Sequence, residues 1–149
     1  MSLNEEFKYY NVGACSGAVD KFSFIKYKSM KTKRQVVGQR GENLAVKFLE
    51  KKGYKIIERN FRADRFGEID IITKDKDELV FVEVKTKTDE QFGLPEEEFT
   101  YQKKKKMYRA IQNYLFKKYL TSCDWRADLI AIDIIDKKVD IRHYECVSL

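Results

Sequence analysis

The sequence contains one histidine, one proline and one tryptophan among 149 residues, and no apolar run of about 18 residues. Each shortage removes a class of protein. A lone histidine, His143, argues against Ser-His-Asp and Cys-His nucleophilic chemistry. His143 alternates with Ile141 in a late strand-like run, so a surface or half-buried residue is expected there rather than a metal ligand. Three scattered cysteines, Cys15, Cys123 and Cys146, form no CxxC pair. They indicate neither a disulfide framework nor a zinc ribbon, and fit a reducing compartment. With no membrane-length run and no signal-peptide core, the expectation is a soluble, cytoplasmic protein with no membrane partner.

Charge is abundant and unevenly spread. The chain is 43% apolar and 36% charged, with a net charge of +6. Residues 1–34 hold seven Lys/Arg against three acids, so the remaining chain is close to neutral. A basic balance favours a polyanionic partner such as nucleic acid. Acids gathered around a bound cation would leave the rest of the surface more basic than the net charge suggests.

The organisation is that of one domain with an N-terminal arm, divided here as 1–34 and 35–149. The arm has aromatic residues but no period. From Val37 to Lys52, Val37, Leu44, Ala45, Phe48 and Leu49 share a helical face, with Gly53 as the expected C-terminal stop. Gly38 and Gly41 lie on or beside that face. Glycine inside a helix costs about 1 kcal/mol, so both suggest close approach to a sheet. Three strands follow, at 54–61, 67–73 and 78–86. A second helix runs from about Phe99 to Leu120, with the stripe Met107, Ala110, Ile111, Tyr114 and Leu115. Two strands, 126–135 and 137–145, joined at Asp136–Lys137, complete the order α-β-β-β-α-β-β.

The segment GEIDIITKDKDELVFVEVK, residues 67–85, carries acids inside its two most strand-like runs. By alternation, Glu68, Asp70 and Ile72 share one face and Ile69 and Ile71 the other; Phe81, Glu83 and Lys85 share a face of the next strand. A hairpin centred between Lys76 and Asp77 sets Asp70 opposite Glu83 and Glu68 opposite Lys85. Like charges directly opposed across a sheet are destabilising. A hard divalent cation reverses that cost, because Mg²⁺ is held by one or two carboxylates together with waters and substrate phosphate. Lys85, on the same face as Glu83, could orient an attacking water or stabilise developing negative charge.

The flanking helices add candidates. Glu42, at the edge of the first helix's apolar face, reads equally as an extra acid for the site or as a helix-dipole acid. Lys103 lies on the buried side of the second helix, where a lysine needs a partner. Lys104, Lys105 and Lys106 read as a solvated or phosphate-contacting edge. Arg126 and Asp128, two apart on one strand, read as a pair with neighbours.

These runs together resemble the YraN family of small bacterial proteins. The matching stretches are GQRGENLAVKFLEKKGYKIIERNFR (38–62), GEIDIIT (67–73), LVFVEVKTK (79–87), FG (92–93), Lys103 and RADLIAI (126–132). That family is similar to PD-(D/E)xK nucleases and archaeal Holliday junction resolvases. The resemblance implies an α/β fold of mixed α+β character: a restriction-endonuclease-like αβββαβ core with a mixed central sheet flanked by helices. It implies a Mg²⁺- or Mn²⁺-dependent phosphodiesterase centre with Asp70 as the first acid and Glu83 and Lys85 as the (D/E)xK element. Glu42 corresponds to the helical acid of the resolvase-like branch, so the implied metal ligands are Asp70, Glu83 and Glu42. Lys103 corresponds to the family's lysine on the following helix, with Lys104 and Lys106 as further nucleic-acid contacts. Ile69 stands where the superfamily has proline, as is usual in this family.

The leading expectation is therefore a metal-dependent endonuclease acting on DNA, branched or flapped, with a homodimer suggested by resolvase-like relatives. A non-catalytic nucleic-acid-binding module on the same fold is the second reading. A protein-interaction adaptor using the aromatic arm is the third.

Overall fold

The computed structural model describes residues 8–9, 26–27, 31–88 and 93–149. Two short strands, β1 (Lys8–Tyr9) and β2 (Lys26–Tyr27), pair antiparallel. The rest of the expected arm before residue 31 lies outside the described residues. No helix among those described is long and apolar enough to cross a membrane.

Helix α1 spans Lys33–Lys51. It starts before the expected boundary at Gln35, and the reason is local. Thr32 and Gln35 form a reciprocal capping box: Gln35 N–H donates to Thr32 Oγ1 at 3.3 Å, and Thr32 N–H donates to Gln35 Oε1 at 2.9 Å. Lys52 closes the last turn, and Gly53 follows at φ 91°, a conformation open to glycine without steric cost.

The sheet has five strands in the order β3-β4-β5-β6-β7: β3 (Lys55–Arg62), β4 (Glu68–Asp75), β5 (Glu78–Lys87), β6 (Trp125–Ile135) and β7 (Lys138–Tyr144). All neighbours are antiparallel except β5 and β6. That parallel pair requires a crossover, supplied by helix α2 (Tyr101–Lys117). The tight turn between β6 and β7 has Asp136 at φ 48° and Lys137 at φ 67°, both left-handed as a two-residue hairpin of this twist demands.

The helices cover opposite faces. On one side Met107, Ala110, Ile111, Tyr114 and Leu115 of α2 pack with Phe61, Ile72 and Phe81. On the other, Ala45 and Leu49 of α1 pack with Ile71, Val80, Val82, Val84, Ile130 and Ile132. The result is the mixed sheet flanked by helices that the family resemblance implies, consistent with a restriction-endonuclease-like core.

Two expectations change. Gly41 does permit close approach: a Cβ there would fall 1.8 Å from Thr86 Oγ1 of β5. Gly38 does not, since a Cβ there would meet nothing within 4 Å. Alternation also fails in β4. Ile69 joins the α2-side cluster with Phe61 and Ile72, whereas Ile71 joins the α1-side cluster. The strand changes course between them, at Asp70.

Candidate functional site

The β4–β5 hairpin keeps the expected register from Asp75↔Glu78 to Ile71↔Val82. The next pair would oppose Asp70 and Glu83, and there the ladder stops. Val84 N–H donates instead to Asp70 Oδ2 at 2.7 Å. The carboxylate thus takes the role of a ladder carbonyl while the strands part. Strand β5 continues in place because β6 holds it from the other side, with Glu83↔Leu129 and Lys85↔Ala131 in the parallel register. Glu68 is likewise not laddered to Lys85; it pairs across β3 with Arg62.

This splay leaves two acids in one partly buried place. Burial pushes the Asp70 carboxyl up to about 7, and the Glu83 charge pushes the same way; the Val84 N–H and Lys85 oppose them. Glu83 is ion-paired with Lys85, and each side chain is 13% exposed. Burial works against the Lys85 ammonium, but Glu83 and then Asp70 outweigh it, so its pKa rises and it stays charged. Lys103 of α2 comes alongside Lys85, and burial together with that like charge lowers its pKa.

The remaining candidates are distributed as follows. Glu42 accepts from Asn60 Nδ2 at 3.1 Å and lies 3.7 Å from the Arg59 guanidinium. Its charge still reaches Asp70, as the last of the contributions raising that carboxyl. The Lys104 ammonium stands 5.5 Å from the Phe99 ring centroid. Lys106 is exposed, with its stem beside Gly67. Next to the acids opens a groove of about 830 Å³, lined on its basic side by Lys33, Arg34, Lys85, Lys87 and Lys103. Glu68 and Glu98 are the acids on its wall. Lys33 and Arg34, read from the sequence as arm residues, reach it because the capping box at Thr32 starts α1 there.

Two carboxylates with a flanking lysine match the donors Mg²⁺ or Mn²⁺ takes when waters and phosphate complete the shell. Among the described residues, no three His, Cys, Asp or Glu side chains converge as a ready cage.

A second polar cluster lies in the same sheet. Asp128 is fully buried and accepts from Arg126 Nε at 3.1 Å and Cys146 N–H at 3.0 Å; its Oδ2 lies 2.9 Å from His143 Nε2. Arg126 also donates to Glu78 at 2.6 Å, Asp75 at 3.1 Å and the Tyr54 hydroxyl at 2.8 Å. His143 is half-buried as expected, with its side chain 4% exposed between Phe48 and Tyr54. Burial would raise the Asp128 carboxyl, but His143, the Cys146 amide and Arg126 together hold it below its ordinary value. Its charge is answered on every side, whereas that of Asp70 is not.

Fold and hairpin together define a restriction-endonuclease-like α/β core with an Asp and a Glu-x-Lys at the splayed end of its central strands. Residues 41–132 match the family model described as "Uncharacterised protein family UPF0102". The UPF0102 protein of Alkaliphilus oremlandii is 44% identical over 111 residues, covering 73% of this chain and 94% of the relative. That of Carboxydothermus hydrogenoformans is 40% identical over 114 residues, covering 76% and 96%. A third, from Caldanaerobacter subterraneus subsp. tengcongensis, is 39% identical over 111 residues, covering 74% and 90%. The chain belongs to the UPF0102 family, also called the YraN family.

Proposed function

We propose that this protein is a divalent-metal-dependent phosphodiesterase that hydrolyses nucleic acid, with DNA the favoured substrate. The observation that carries the reading is the splay at Asp70. A sheet built only for stability would pair β4 and β5 to the end and avoid two acids there. Here the pairing ends, Asp70 is left with its carboxyl raised to about 7, and Glu83 stands beside it.

A divalent cation bound by Asp70 and Glu83 would supply Lewis-acid polarisation of the phosphate and a more acidic water. The chain supplies position and charge. The Val84 amide fixes the Asp70 carboxylate. Lys85 presents its ammonium between Glu83 and the groove, where it can orient water and offset charge on the phosphoryl oxygens. Lys33, Arg34 and Lys103 line the groove where a phosphate backbone would run. Glu42 engages Asn60 and Arg59 through Oε2, and its charge acts on Asp70.

The test is cleavage of branched, flapped and duplex DNA in Mg²⁺ or Mn²⁺, comparing wild type with Glu83→Ala. Cleavage is expected from wild type only; equal cleavage by both would mean contamination and end the assignment.

A second reading, a binding module that does not cut, gains support from the same site. Lys85 already neutralises Glu83, and the described acids form no three-ligand set. It predicts salt-sensitive DNA binding, no cleavage in any metal, and unchanged affinity in Glu83→Ala.

A further inference from the structure

The outer face of α2 takes no part in the core or the groove, yet it has a consistent chemistry. Tyr101, Lys105, Tyr108, Gln112 and Phe116 recur at helical spacing on the exposed side of α2, flanking the buried stripe of Met107, Ala110, Ile111, Tyr114 and Leu115. Tyr101 is 74% exposed, Tyr108 46% and Phe116 74%, and Tyr119, just past the helix, 94%. Isolated exposed aromatics are ordinary, but a line of them along one helix is not.

The charges on this helix select the partner. Residues 101–118 contain seven Lys/Arg and no Asp or Glu. Lys117 and Lys118 pair with Asp64 and Glu58, while Lys105 and Arg109 stay exposed between the rings. A second copy of the chain would bring the same cations against these, so self-association through α2 is opposed. A duplex would meet the cations but leave the rings idle, because its bases are already stacked. An unpaired strand uses both: phosphates meet Lys105 and Arg109, and free base faces meet the tyrosines and Phe116. Tyr101 and Tyr108 are about 10 Å apart along the axis and Tyr108 and Phe116 about 12 Å, from the helical rise. Each interval is roughly three nucleotides of a stacked strand.

We propose that the outer face of α2 binds single-stranded nucleic acid, by base stacking on Tyr101, Tyr108 and Phe116 and phosphate contact with Lys105 and Arg109. The surface is separate from the groove, and the proposal holds whether or not Asp70 and Glu83 cut. Where they do cut, it favours substrates with an unpaired arm.

The chain carries its own reporter. Trp125, the only tryptophan, lies 6.3 Å from Tyr108, ring centroid to ring centroid. The experiment uses the full chain in chelator, so that no hydrolysis intervenes, with labelled single strands and duplexes of about 15 nucleotides. Single strands are expected to bind more tightly than duplexes and to change Trp125 emission. Tyr108→Ala and Phe116→Ala should each weaken single-strand binding roughly 5–100-fold and leave duplex binding within about twofold, while Tyr108→Phe should bind as wild type. Lys105→Ala should lower the salt dependence by about one phosphate contact. Equal losses for duplex and single strand, or full affinity in Tyr108→Ala, would overturn the proposal. So would an equal Trp125 response to anionic phospholipid vesicles, or a dimer that Tyr108→Ala abolishes.

Discussion

Replacing Asp70 by asparagine should stabilise the metal-free protein at neutral and alkaline pH. Asparagine keeps an oxygen to accept from Val84 N–H, so the contact that closes the splay survives. It removes a carboxylate whose folded-state pKa is raised from 3.8 to about 7, first by burial and then by Glu83. A raised carboxyl favours folding while protonated. Its contribution is therefore fully present below about pH 4 and is lost as pH rises through about 7. At about 1.36 kcal/mol per pKa unit, the charge costs on the order of 2–4 kcal/mol at pH 8. For a domain of this size each kcal/mol moves the melting temperature by about 3–5 °C.

The assay is thermal or urea unfolding of wild type and Asp70→Asn in chelator at pH 4.5, 6 and 8. Comparing the two proteins at each pH cancels the other titrating groups. The variant should melt close to wild type at the lowest pH and roughly 6–20 °C above it at the highest. Adding Mn²⁺ or Mg²⁺ at pH 8 should close most of the gap. Wild type gains about 2.7 kcal/mol when the ion is at 100 times its dissociation constant, and the variant gains little. A variant equally destabilised at every pH would show that the Asp70 charge supports the fold, and would refute the reasoning about the splay.

Further outcomes follow from the same contacts. Gly41→Ala should lose on the order of 1–3 kcal/mol in urea unfolding, because its Cβ would fall 1.8 Å from Thr86 Oγ1. Gly38→Ala meets nothing within 4 Å and should gain about 0.5–1 kcal/mol from helix propensity. Asp128→Ala should cost about 3–5 kcal/mol, since it strips a buried acceptor from Arg126, His143 and the Cys146 amide. With its carboxyl held below 3.8, Asp128 stabilises above about pH 4, and that contribution fades as pH falls through its folded value. Lys85→Met should destabilise the metal-free protein by about 1–3 kcal/mol by leaving Glu83 uncompensated, with Mn²⁺ restoring much of the loss in a melting scan.

The hairpin register was legible because period-two alternation and a short polar turn leave few ways to align β4 with β5. What alternation does not report is where a ladder ends. The bend at Asp70 depends on a side chain replacing a carbonyl and on β6 holding β5 from its other edge. Thr32-x-x-Gln35 did carry a readable start signal for α1, and it moves Lys33 and Arg34 from the arm to the groove. Gly38 and Gly41 look alike in sequence; only the position of Thr86 separates them. Arg126 pairs with Asp128 inside the run RADLIAI, but its other partners come from β4, β5 and the residue before β3, and the run does not announce those.

Two aspartates in one sheet show how to separate structural charge from charge kept for a ligand. Asp128 is fully buried, yet its carboxyl is lowered, because a histidine, an amide and an arginine converge on it. The Asp70 carboxyl is raised, first by burial and then by Glu83, and one amide and Lys85 only partly oppose them. The fold thus completes one cluster internally and leaves the other with negative charge that a cation and a phosphate can answer. Lys85 offsets Glu83 but leaves Asp70 without an equal partner. That imbalance, more than the presence of acids in strands, is why the proposed chemistry belongs at Asp70 and Glu83 and not at Asp128 and His143.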